Sequence, residues 1–126
     1  MGQESLVNGH IEAGFDFVRN FNKYMPVSAA FWLNPPGSED WFLHIASPEI
    51  NDGNIDAAYS EVLRRVGINK NQWFDAFQVK LLNAADALAA GAAHIRDQYS
   101  LKTALRYNGS SIAGLPVGGL WIYPPA

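Results

Sequence analysis

The stretch that decides the fold is Val27-Ser28-Ala29-Ala30-Phe31-Trp32-Leu33-Asn34-Pro35-Pro36-Gly37-Ser38-Glu39-Asp40-Trp41-Phe42-Leu43-His44-Ile45-Ala46-Ser47. Two apolar, aromatic-rich runs, residues 27–34 and 41–47, flank a segment whose prolines lack a ladder N–H and fix φ, so it cannot continue a sheet. The pattern predicts a β-hairpin. With Asn34 opposite Asp40, Ala29, Phe31 and Leu33 face Ile45, Leu43 and Trp41 as one apolar row, which a slip of one residue would scramble. The same register sets Trp32 opposite Phe42 and Ala30 opposite His44 on the other side.

Upstream, Ile11, Phe15, Val18 and Met25 recur near helical spacing. Gly14, Phe17, Phe21 and Tyr24 widen the stripe, which predicts a helix from about His10 to Tyr24, stopped by Pro26. Downstream, Ile55, Ala58, Tyr59, Val62, Leu63 and Val66 predict a helix over 54–66. Asp52 and Asn54 are its N-cap candidates, and Gly67 suits its end. Phe77 to Leu82 reads as a strand, with Phe77, Val79 and Leu81 turned one way and Gln78 and Lys80 the other. Asn83 then caps an alanine-rich helix to about Tyr99, with Asp86 three residues in. Thr103 to Tyr107 leads into Asn108-Gly109, the strongest short hairpin signal. A glycine-punctuated stretch precedes the last strand, Gly119 to Tyr123.

The order is αββαβαββ, with room for one further short strand after the Asn108-Gly109 turn. It predicts an α+β fold: a mainly antiparallel or mixed sheet with three helices packed chiefly on one face. A length of 126 residues suits one domain, 1–126, and an apolar fraction of 48% with 13% aromatics supports a real core.

Charged residues make up only 17% of the chain and the net charge is −3, which argues against a general binder of nucleic acid or of anionic membranes. The absence of cysteine removes disulfides, thiolate nucleophiles and Cys-ligated metals, and is compatible with the cytoplasm. Met1-Gly2-Gln3-Glu4-Ser5 has no cationic start leading into an apolar run, so no signal peptide is expected. Ser5 falls one place short of the myristoylation pattern. The apolar stretch Leu81–Ile95 is too short and too interrupted to span a bilayer.

Several chemistries fail on context. Gly109-Ser110-Ser111-Ile112-Ala113 approaches a nucleophile elbow, but the glycines and proline after it are poor helix material, so a turn is the better reading. Asp52, Asn54 and Asp56 match the first ligands of a calcium loop, but Ala57 replaces the required glycine and Leu63 the closing glutamate. Gly114 to Gly119 lacks the lysine and helix of a phosphate loop. Asn108-Gly109-Ser110 matches the glycosylation pattern, which is empty without secretion. His10, His44 and His94 have no metal-ligand spacing, and no cofactor is implied.

One surface stands out. Alternation collects Phe31, Leu33, Leu43, Ile45, Phe77, Val79, Leu81, Leu120 and Ile122 on a core face. The opposite face collects Ser28, Trp32, Phe42, His44, Gln78, Lys80 and Trp121, with Arg106 and Tyr123 as further members. Stiff rings beside cationic and hydrogen-bonding groups suit a binding surface, with Trp32, Phe42, His44, Lys80, Arg106 and Trp121 as its candidates. The plainer reading is an ordinary cross-strand pair, Trp32 with Phe42, and the polar half of an alternating strand. The composition favours an interaction or regulatory protein whose partner is a protein, itself or another. The alternative is a small enzyme or anionic-ligand binder using His44 as acid or base. Stacking of single-stranded nucleic acid is disfavoured by the scarcity of basic residues.

Overall fold

Ala29–Asn34 is apolar at five of its six positions, too continuous a run for a strand with one wet face. The computed structural model describes Leu6, residues 8–68 and residues 70–126, and in it every residue of this segment is buried. The elements run α1 (Asn8–Phe21), β1 (Ala29–Asn34), β2 (Phe42–Ser47), α2 (Ile55–Ile68), a 3-10 turn (Ala76–Gln78), β3 (Val79–Asn83), α3 (Ala87–Gln98), β4 (Leu105–Tyr107), β5 (Ser111–Ile112), β6 (Leu115–Pro116) and β7 (Gly119–Ile122). Residues 1–5, on which the signal-peptide and myristoylation readings rest, lie outside the described residues.

The fold is α+β. A five-stranded mixed sheet has the order β3-β2-β1-β7-β4; β2 and β3 are parallel, joined by α2, and the other neighbours are antiparallel. Strands β5 and β6 form a separate small hairpin. Helices α1 and α2 cover one face, packing Phe17, Val18, Phe21, Ala58 and Val62 against Trp32, Leu43, Ile45, Val79 and Leu81. Helix α3 covers the other, with Ala92 and Ile95 in the cluster of Phe31, Leu33, Leu120 and Ile122. The alanine content of α3 does what its small side chains predict: Ala89 sits directly on Ala29 and Ala46.

The hairpin is present, but its register is shifted by one residue from the expected one. Phe31 lies opposite His44, Trp32 opposite Leu43 and Leu33 opposite Phe42. Two causes account for the shift. Because both faces of β1 are buried, hydrophobic alternation does not discriminate between neighbouring registers. The loop is also wider than its prolines suggest, since the buried Asn34 amide donates to Ser38 O (2.8 Å) and Asp40 O (2.7 Å), closing the loop from inside.

Other boundaries move for local reasons. Asp75, not a strand residue, caps the 3-10 turn: its side chain accepts from Phe77 N while Gln78 Oε1 accepts from Asp75 N. Helix α3 is capped by Asp86; Asn83 instead accepts from Ala85 N and donates to Ile50 O. The start of α2 is knit by Asn51, whose side chain accepts from Gly53 N and Asn54 N, rather than by Asp52. Asn108-Gly109 does not join paired strands, because β4 pairs with β7; Gly109 instead lies against the Tyr107 ring. The tight turn falls at Ala113-Gly114, both at positive φ (52° and 78°), between β5 and β6.

At the sheet centre, Trp32 Nε1 donates to Tyr123 Oη (2.8 Å), which donates to Ile11 O on α1 (2.6 Å). A Cβ at residue 14 would stand 2.4 Å from Tyr123 Oη and 2.7 Å from Trp32 Nε1, so glycine is what lets α1 come this close. Burial raises the Tyr123 phenol well above its ordinary pKa, so it stays a donor. Replacing Tyr123 with Phe strands the buried indole N–H of Trp32 and removes the tie to the Ile11 carbonyl. We expect a loss of about 1–3 kcal/mol, read as a lower urea midpoint at unchanged m-value.

Candidate functional site

The one-residue register shift divides the expected mixed face. Trp32, Trp121 and Arg106 are cross-strand neighbours on the side of α1 and α2, whereas Phe42, His44 and Lys80 turn to the side of α3. The facing of β1 relative to β7, and of β2 relative to β3, follows the alternation; the division falls between β1 and β2.

Trp32 is wholly buried, edge-on to Phe74, and cannot stack on a ligand. Trp121 is half-buried beside it. Arg106 is exposed, but its guanidinium donates to Tyr107 O (2.8 Å) and Leu120 O (3.3 Å) and lies 5.8 Å from the Trp41 ring centre. Arg106 therefore fastens the end of β4 to β7 and the Trp41 ring.

On the other face, the His44 ring stacks on Phe31 (centroids 5.0 Å apart, planes 5° apart) and is 8% exposed. Its Nδ1 is 3.1 Å from the Phe42 carbonyl, an acceptor only, so the proton sits on Nδ1 and the Nε2 lone pair is free. No buried side-chain nitrogen or oxygen among the described residues lacks a partner, and no protein group bonds Nε2; that atom therefore meets solvent. Lys80, directly across the β2–β3 pairing, lies 5.1 Å from the Phe42 ring centre. This cluster offers one neutral imidazole acceptor beside one cation.

A different surface carries the exposed apolar area. Phe77 is 80% exposed and Leu63 56% exposed, and both line a groove of about 250 Å³ with Tyr59, Val62, Ala76, Val79 and Lys80. The expected core strand residue Phe77 is thus the most exposed of the large apolar side chains. Its outward aim is imposed by the Asp75 cap, and by Gln78 Nε2 donating to Trp41 O (3.3 Å), which lock the turn. The groove borders the outer edge of β3, where Tyr59 Oη on α2 accepts from Leu81 N (3.0 Å) and so blocks one edge N–H. Periodicity assigned Phe77 to a strand; the Asp75-x-x-Gln78 capping pattern was the signal that would have found it.

No helix among the described residues is long and apolar enough to cross a membrane, and no three metal-binding side chains converge there.

Burial lowers the His44 pKa from 6.5 to about 4; the Phe42 carbonyl and Asp86 oppose that shift, and Lys80 adds to it. Because the unfolded chain binds the proton more tightly, stability is complete above about pH 6.5 and falls as the pH drops toward 4. The loss attributable to His44 approaches roughly 3 kcal/mol. We expect the pH 4–6.5 slope of urea stability to flatten in His44→Phe, and the ring resonances of the folded wild type to titrate near pH 4.

Searches against protein-family models, curated proteins and solved structures find no match to this chain.

Proposed function

We propose that the protein works by binding another protein molecule, with the groove between α2 and the 3-10 turn as its docking face and a second copy of the chain as the occupant. The observation that carries this reading is Phe77, held almost fully exposed on a doubly pinned turn beside exposed Leu63. Holding an aromatic ring in water forgoes about 1.5–3 kcal/mol of burial, which docking would recover. Knob and groove lie on the same surface, so a two-fold arrangement lets each copy's Phe77 enter the other's groove, an isologous contact. Rigid aromatic side chains flanking a small pocket are the usual anchors of such contacts.

The open Nε2 of His44 beside Lys80 supports a second reading, in which this cluster holds a small anionic ligand that also carries a hydrogen-bond donor. Titration with phosphate, an anion that keeps an O–H donor near neutral pH, tests it: saturable movement of the His44 ring resonances supports it, and their indifference removes it.

The docking reading is tested by sedimentation equilibrium over a concentration series. The wild type should show a reversible monomer–dimer equilibrium, and Phe77→Glu, at a position too exposed to disturb folding, should be monomeric throughout. A wild type that stays monomeric, or a Phe77→Glu protein that dimerises equally well, overturns it.

A further inference from the structure

At the opposite edge of the sheet, a second pocket of about 210 Å³ lies between α1 and the segment leading into β4. Ile11 and Phe15 of α1, Ala104, Tyr123 and Pro124 form its apolar lining. The Phe15 and Tyr123 rings stack at 5.0 Å, and Tyr123 is held in place by its bonds to Trp32 and Ile11, so the floor is rigid. Two charges of opposite sign, Glu12 and Lys102, line the same pocket and are exposed. Neither side chain makes a hydrogen bond or an ion pair among the described residues, and the two are not within salt-bridge distance of each other. The neighbouring cation Arg19 differs: it is paired with Asp16 at 2.9 Å and covers the outer face of the Phe15 ring, 4.7 Å from its centre.

The volume is below the usual range for drug-sized ligands and suits a single aliphatic side chain. An apolar floor with an uncommitted carboxylate and an uncommitted ammonium at its rim complements a small zwitterion that carries an apolar group. We propose that this pocket binds a free aliphatic α-amino acid. The side chain lies against Ile11, Ala104 and Pro124 above the Phe15–Tyr123 stack, the α-ammonium turns to Glu12 and the α-carboxylate to Lys102. The polar interactions are solvent-exposed and add modestly; apolar burial supplies most of the affinity and the charge pair supplies the selection. This site is separate from the Phe77 groove and does not depend on it.

The test is a titration of the ¹⁵N-labelled protein with L-leucine, followed by amide shifts. Saturable movement confined to the neighbourhood of Ile11, Phe15, Thr103 and Ala104 is expected. Glycine should produce none, and N-acetyl-leucine and leucinamide, each lacking one charge, should bind more weakly. Glu12→Gln and Lys102→Gln, both at exposed positions, should each weaken leucine binding about three- to fivefold. The same changes should remove the preference over the derivative lacking the matching charge. Phe77→Glu should bind leucine as the wild type does. No saturable shift, glycine binding as tightly as leucine, or either blocked derivative binding as tightly as leucine overturns the proposal.

Discussion

One line of hydrogen bonds, from the Trp32 indole through the Tyr123 hydroxyl to the Ile11 carbonyl, joins the central strand, the chain just after β7, and α1. The Tyr123 hydroxyl is the partner the buried Trp32 indole needs, and it donates in turn to a carbonyl of α1. The line sets how deep α1 sits, which is why residue 14 has no room for a side chain. Once α1 is seated, Phe17 reaches Phe74 and Phe15 reaches Tyr123, and the layer over this face of the sheet is complete. The Arg65 guanidinium, bonded to both the carbonyl and the side chain of Asn20, then ties α2 to α1.

The two edges of the sheet are finished in different ways, and that difference sets what each can do. At β3, the Tyr59 hydroxyl occupies one edge N–H, and the capped turn beside it projects Phe77 outward. Main-chain pairing is therefore discouraged there, while an apolar ring is left in water. At β4, Arg106 fastens the strand to β7 and Trp41, and the space toward α1 remains a small pocket above the Phe15–Tyr123 stack. Between these edges, His44 is neutral because burial costs its charged form more than its neighbours return. Its proton is placed by the Phe42 carbonyl rather than by any catalytic partner.

Much of the architecture was legible in the chain. Helical spacing located α1 and α2, alanine content and a capping pattern located α3, the Pro35-Pro36-Gly37 interruption located the hairpin, and the element order led to an antiparallel or mixed α+β sheet. Alternation also placed Phe31 and Leu33 correctly with Ile122 and Leu120. It failed between β1 and β2, where both strands are apolar nearly throughout and covered on both faces. A pattern with no polar half has no phase to read. That single slip had gathered Trp32 and His44 onto one imagined surface.

Local chemistry explains the remaining division. What the sequence by itself determined were the features that depend on near neighbours: helical faces, turn-forming residues and the lack of cysteine chemistry. Only the tertiary structure decided the hairpin register, because it rests on Asn34 reaching across its loop and on helices closing over both faces. It alone decided that Trp32 is interior, and that Glu12 and Lys102, 90 residues apart in the chain, share one pocket. Such juxtapositions arise from packing between distant segments, and spacing along the chain does not encode them.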